Sequence, residues 1–127
     1  MVLLRGEGER VLLNLYEAIL KGEDWTNVGG ITYKDEDENI AHNKDPQLLS
    51  DLDEIPMFPY ELFESPNYDR GIITSARGCP YKCSYCSQRL ITGLTYRFHS
   101  TQRILDTLDI LIYKYHQENI TFYDDNF

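Results

Sequence analysis

The sequence predicts an α/β fold built on parallel strands, and three stretches carry that expectation. Gly71-Ile72-Ile73-Thr74-Ser75 has a β-branched centre and reads as a strand. Ser100 caps a helix to about Gln117, with Ile104, Leu108, Leu111 and Tyr115 in one stripe that Leu105 and Ile112 widen. Asn119 to Tyr123 reads as a second strand, with Ile120 and Phe122 on one face. Strand, helix and strand in this order make a right-handed βαβ unit with parallel strands. In parallel α/β barrels the active-site groups gather at the C-terminal ends of the strands.

Ahead of this unit, Val2-Leu3-Leu4 reads as a short buried strand that runs into Gly6-Glu7-Gly8-Glu9. From Glu9 to Lys21 the residues Val11, Leu12, Leu15, Tyr16, Ile19 and Leu20 recur at helical spacing, and Gly22 stops the helix. Glu7 and Glu9 suit the helix dipole as solvated acids at its N-terminus. Residues 23–70 read as a connector. Ile31-Thr32-Tyr33-Lys34 and Asn39-Ile40-Ala41-His42 are the expected arms of a small hairpin about the acidic turn Asp35-Glu36-Asp37-Glu38. No hard-ion loop pattern surrounds those acids, so they read as a solvated turn. Of five prolines, all but Pro80 lie between positions 46 and 66, which favours an extended, packed linker there.

The chemistry concentrates in Gly78-Cys79-Pro80-Tyr81-Lys82-Cys83-Ser84-Tyr85-Cys86, which holds all three cysteines of the chain. Thiolates are soft ligands that suit zinc, copper(I) and iron–sulfur clusters. A closed zinc site or an ordinary cluster takes four protein ligands. Three thiolates on a four-iron cubane leave one iron open to a substrate or cofactor. A zinc site would need a fourth ligand, and the nearest candidate, His99, lies thirteen residues beyond Cys86, outside the usual pairings. His99 reads instead as a neighbour of the helix cap. A Cys83/Cys86 redox dithiol would leave Cys79 unexplained, and a disulfide framework wants an even count in a secreted chain. The segment from the cysteines to about Arg97 reads as a long irregular loop, a length that is uncommon unless functional.

Cys79-x3-Cys83-x2-Cys86, with the aromatic Tyr85 before the last cysteine, resembles the signature of the radical S-adenosylmethionine enzymes. The longer string from Ser75 to Cys86 resembles the branch that carries a cobalamin-binding domain ahead of its catalytic core. The resemblance implies a 4Fe-4S cluster on Cys79, Cys83 and Cys86, with S-adenosylmethionine chelating the fourth iron. It implies reductive cleavage of S-adenosylmethionine to a 5′-deoxyadenosyl radical, for methyl transfer, methylthiolation or oxidative cyclisation. Tyr85 would lie against the adenine, and Asp124 or Asp125 would accept hydrogen bonds from the ammonium group. An electron donor of flavodoxin or ferredoxin type is the implied partner. The alternative reading is a non-catalytic module holding structural zinc or an electron-transfer cluster.

The same resemblance implies three parts. Residues 1–22, with Arg5-Gly6-Glu7-Gly8-Glu9, resemble the last strand and helix of a Rossmann-like cobalamin-binding domain. Residues 23–70 are its linker, and residues 71–127 are the start of a TIM-like barrel, carrying the cluster loop and its first βαβ unit. The Asp-x-His-x-x-Gly motif whose His ligates cobalt does not occur. Cobalamin is therefore an expectation for a full-length parent only, and the 127 residues read as an incomplete, inactive fragment. A net charge of −9 argues against nucleic acid as the primary partner. Three clustered thiols without a signal peptide point to the cytoplasm, and nothing approaches the roughly 20 apolar residues of a membrane span.

Overall fold

Local sequence accounts for most elements of the computed structural model, which describes residues 1–63 and 70–127. The last part of the expected linker, residues 64–69 with Pro66, lies outside the described residues. The chain forms two compact units, one of Met1–Leu49 with Cys83–Gly93 and one of Ser50–Lys82 with Leu94–Phe127.

In the first unit, strand β1 (Val2–Leu4) leads into helix α1 (Gly8–Lys21). Gly22 ends the helix in the left-handed region at φ 67°, and its N–H bonds back to the last turn, the arrangement a Cβ would penalise. The expected hairpin is present as β2 (Ile31–Lys34) and β3 (Ile40–His42). Its acidic turn is organised by Asp35, whose carboxylate accepts from the N–H of Asp37 at 3.0 Å and of Asn39 at 2.8 Å. Lys34 pairs with Glu38 across the same turn at 3.0 Å.

Two expectations fail here. Strand β1 is not buried: Val2, Leu3 and Leu4 stay 37%, 52% and 37% exposed. The reason is its place. Sheet order is β1-β2-β3, so β1 is an edge strand, paired antiparallel with Val2 opposite Tyr33 and Leu4 opposite Ile31. Glu7 is not solvated either. It is buried at the start of α1 and accepts from the N–H of Leu49 at 3.3 Å, whereas Glu9 is exposed as expected. Val11 and Ala18 are the buried residues of α1, and Val11 seats its start, because Gly30 (φ +84°) lets the helix close in. A Cβ on Gly30 would lie 2.7 Å from a Val11 methyl and 2.9 Å from Pro46.

The second unit holds the parallel pair. Strands β4 (Ile72–Ile73) and β7 (Thr121–Phe122) run parallel, with Ile72 opposite Thr121 and Ile73 opposite Phe122. They are shorter than the sequence suggests. After β4 the chain makes a second ladder, β5 (Ala76–Arg77) antiparallel to β6 (Arg97–Phe98), numbered with the short helix α2 (Gln88–Ile91) between them. Helix α3 (Thr101–Asp109) is capped by Ser100, whose Oγ accepts from the Arg103 N–H at 3.1 Å. It continues as a wider turn over Ile110–Lys114, where Tyr115 N–H bonds to the Ile110 carbonyl.

The core of this unit is Tyr60, Ile73 and Leu111, with Ile104, Leu108, Tyr115 and Ile120 packed on it. The expected stripe therefore faces inward, with Leu111 fully buried, which stabilises by about 1.5–3 kcal/mol, and Ile104, Leu108 and Tyr115 partly buried beside it. The widening residues do not follow it: Leu105 and Ile112 remain 49% and 42% exposed. An extended strap after the single turn Leu52–Glu54 lies along α3. Asp53 meets the start of the helix, Arg103 Nη2 donates to the Ile55 carbonyl at 2.6 Å, and Thr107 Oγ1 donates to Met57 Sδ at 3.3 Å. Two strap residues advance about as far as one helical turn, which is why the contacts stay in step.

Candidate functional site

The cysteines sit on the excursion from Gly78 to Tyr96, between the two strands of the β5–β6 ladder. Its first end is held in the second unit by carboxylates from the segment after β7. Asp124 accepts from the N–H of Ser75 at 2.7 Å and of Ala76 at 3.1 Å, and from the Ser75 hydroxyl. Asp125 accepts from the Gly78 N–H at 3.2 Å. Gly78 stands at φ +91°, where a side chain would strain the turn into Cys79. Tyr96 closes the same region by donating its hydroxyl to the Asn126 carbonyl. The parallel pairing of β4 and β7 makes these contacts possible, because both strands end at the same edge.

The other end of the excursion is anchored in the first unit. Gly93 (φ +79°) lies against Leu48, where a Cβ would come within 2.5 Å of Leu48 Cδ1. A cavity of about 520 Å³ opens there, lined by Arg5, Asp45, Pro46, Arg89, Ile91 and Gly93 among others. Arg5 is already committed in it, to the Asp45 carboxylate and the Asn43 carbonyl.

Between these anchors the thiols are unpaired. Cys79 is half-buried, and Cys83 and Cys86 are exposed. Cys86 N–H donates to the Cys83 carbonyl at 3.3 Å, closing a turn over Ser84 and Tyr85. Tyr85 is 90% exposed, with its ring free of the core. The chemistry of this donor set fits a thiolate-ligated cluster: three free sulfurs within eight residues. Among the described residues no three His, Cys, Asp or Glu side chains are gathered as a metal would hold them.

His99 stands with the helix cap. Its Nδ1 lies 2.9 Å from Asp53 Oδ1, and the Ser100 N–H donates to the same carboxylate at 3.1 Å. Hydrogen bonds from Ser100 and then His99 hold the Asp53 carboxyl down at about 2. Sequence reasoning missed Asp53 and Ser75. Each meets its partner more than 40 residues away, so no local spacing could signal it.

The fold so described is mixed α/β and matches solved structures of cobalamin-dependent radical S-adenosylmethionine enzymes. OxsB, a cobalamin-dependent S-adenosylmethionine radical enzyme solved with aqua-cobalamin bound, superposes with a TM-score of 0.81 at 26% identity. That match covers 98% of this chain and 18% of OxsB. By sequence, the chain is 35% identical to an uncharacterized methyltransferase of Pyrococcus horikoshii, over 98% of this chain and 28% of the relative. It is 32% identical to the anaerobic magnesium-protoporphyrin IX monomethyl ester cyclase of Rubrivivax gelatinosus, over 87% of this chain and 21% of the relative. No protein-family profile matches. The chain thus spans about a quarter of the length of these curated relatives. It is a homologue of the cobalamin-dependent radical S-adenosylmethionine enzymes. Among the described residues no helix is long and apolar enough to cross a membrane.

Proposed function

We propose that Cys79, Cys83 and Cys86 hold a 4Fe-4S cluster with one iron left open to S-adenosylmethionine. The observation that carries this reading is three unpaired thiols on an excursion that begins beside the C-terminal ends of two parallel strands. When bound, the cluster would supply the electron that splits the sulfonium carbon–sulfur bond. The chain's own part is to present the three sulfurs, to fix the root of the excursion, and to orient the ligand. Asp124 already accepts three hydrogen bonds within the fold and so sets that root. Asp125, one residue on, likewise accepts from the Gly78 N–H; the lone pairs left on either carboxylate make Asp124 or Asp125 the acceptor proposed for the ammonium group, and the exposed ring of Tyr85 is the surface proposed for the adenine.

For the whole protein the reading is methyl transfer, methylthiolation or oxidative cyclisation, of which methyl transfer and cyclisation are the reaction types in the relatives' names. A reductant of flavodoxin or ferredoxin type would feed the cluster, in a reducing compartment such as the cytoplasm. Residues 71–127 would form the first βαβ unit of a barrel, residues 1–22 the end of a cobalamin-binding-like domain, and 23–70 the link between them. Cobalamin use belongs to that proposal through OxsB alone, since the His motif for cobalt is absent from these residues.

Anaerobic reconstitution with iron and sulfide tests the reading. The expected product is brown and holds four irons and four sulfides per loaded chain. Its reduced paramagnetic resonance spectrum should change when S-adenosylmethionine is added. A colourless protein with one zinc per chain would refute it in favour of a structural module. A cluster whose spectrum ignores S-adenosylmethionine would instead support an electron-transfer module.

A further inference from the structure

We propose that, when the excursion holds no cluster, Cys83 and Cys86 form a reversible disulfide from which Cys79 is excluded. The 3.3 Å bond from Cys86 N–H to the Cys83 carbonyl closes a four-residue turn. Such a turn brings its end Cα atoms within about 7 Å. A disulfide needs about 4.4–6.8 Å between those atoms, so a small closure of the turn suffices. Both residues are exposed, so a small-molecule oxidant can reach either sulfur. Cys79 is differently placed. It is half-buried and follows Gly78, which Asp125 holds, and Pro80 stiffens the chain between it and Cys83.

The step balances with a low-molecular-weight disulfide such as oxidised glutathione. One cysteine thiolate attacks it, forms a mixed disulfide and expels one glutathione thiolate. The second cysteine thiolate attacks the protein sulfur of that mixed disulfide, forms the Cys83–Cys86 bond and expels the second glutathione. The two protons from the cysteines end on the two glutathione thiols. The disulfide withdraws two of the three proposed cluster ligands and leaves Cys79 as a thiol. Excess reducing thiol returns all three. Only this consequence rests on the cluster reading; the disulfide itself does not.

Trypsin separates the cysteines, because it cuts after Arg77, Lys82 and Arg89. Cys79 falls on peptide 78–82, and Cys83 and Cys86 fall together on peptide 83–89. The full chain, metal-free and reduced, is treated anaerobically with oxidised glutathione, alkylated and digested without reductant. The expected result is peptide 83–89 lighter by two hydrogens and unalkylated, with peptide 78–82 carrying one alkyl group. Cys86→Ser should trap glutathione on Cys83, and Cys79→Ser should leave the disulfide intact. Peptide 78–82 cross-linked to 83–89, or stable glutathione on the cysteines of the unsubstituted chain, would overturn the proposal. A last arm tests the consequence separately. The oxidised chain should fail to take up iron and recover on reduction. If the disulfide forms but the reduced chain also takes up no iron, the cluster reading fails and the disulfide stands.

Discussion

Removing the Asp124 carboxylate should loosen the root of the cysteine excursion by an amount the structure lets one work out. Asp124→Ala strips an acceptor from two backbone N–H groups and one hydroxyl, at Ser75 and Ala76. Hydrogen bonds to a charged group contribute about 1.5–3 kcal/mol each. The site is part-buried, so water replaces some of that, and about 3 kcal/mol of local stability is the expected loss. Asp124→Asn gives a graded control. Its remaining oxygen can serve both N–H groups, and its NH2 can donate to the Ser75 hydroxyl oxygen. Only charge assistance is lost, at a cost of about 1 kcal/mol. The assay is amide hydrogen exchange in the full chain, read at Ser75 and Ala76. Their exchange should quicken about a hundredfold in the Ala variant and severalfold in the Asn variant, at about 1.4 kcal/mol per tenfold. Equal exchange in all three proteins, or an Asn variant as loose as the Ala variant, would refute the reasoning.

Other perturbations have equally direct outcomes. Any one of Cys79→Ala, Cys83→Ala and Cys86→Ala should lower iron and sulfide loading after anaerobic reconstitution to a small fraction of the unsubstituted level, measured by elemental analysis. Leu111→Ala removes a fully buried side chain from the core of the second unit and should cost about 2–5 kcal/mol in urea unfolding. Gly30→Ala places a Cβ at positive φ and 2.7 Å from Val11, so thermal unfolding followed by circular dichroism should show a loss of about 1–3 kcal/mol or more. Asp53 titrates at about 2 in the folded chain, below its ordinary value. Its stabilising effect is therefore full above about pH 4 and is lost as the pH falls through about 2. Asp53→Asn should lower stability at neutral pH and flatten that acid-side decline in an unfolding series.

The sequence by itself determined whatever depends on neighbours along the chain. Periodicity and caps placed α1 and α3, down to Gly22 and Ser100, because a helix is specified within a few residues. The hairpin about Asp35 was legible for the same reason, since a turn and two short arms are local. So was the thiol set, because three cysteines within eight residues are close along the chain. The parallel partnership of β4 with β7 followed from the order of elements, a topological rule that needs no coordinates. Tertiary structure alone decided the rest. An apolar run such as Val2-Leu3-Leu4 says that a strand can be covered; only the sheet order, which leaves β1 at an edge, left it half-exposed. Glu7 and Asp53 look like surface acids, yet one is buried under Leu49 and the other anchors the start of α3. Nothing near Asp124 in the sequence shows that its carboxylate accepts from the N–H groups of Ser75 and Ala76, 49 and 48 residues back. A carboxylate's partners are set by which N–H groups come within about 3 Å, and those belong to segments that only folding brings together.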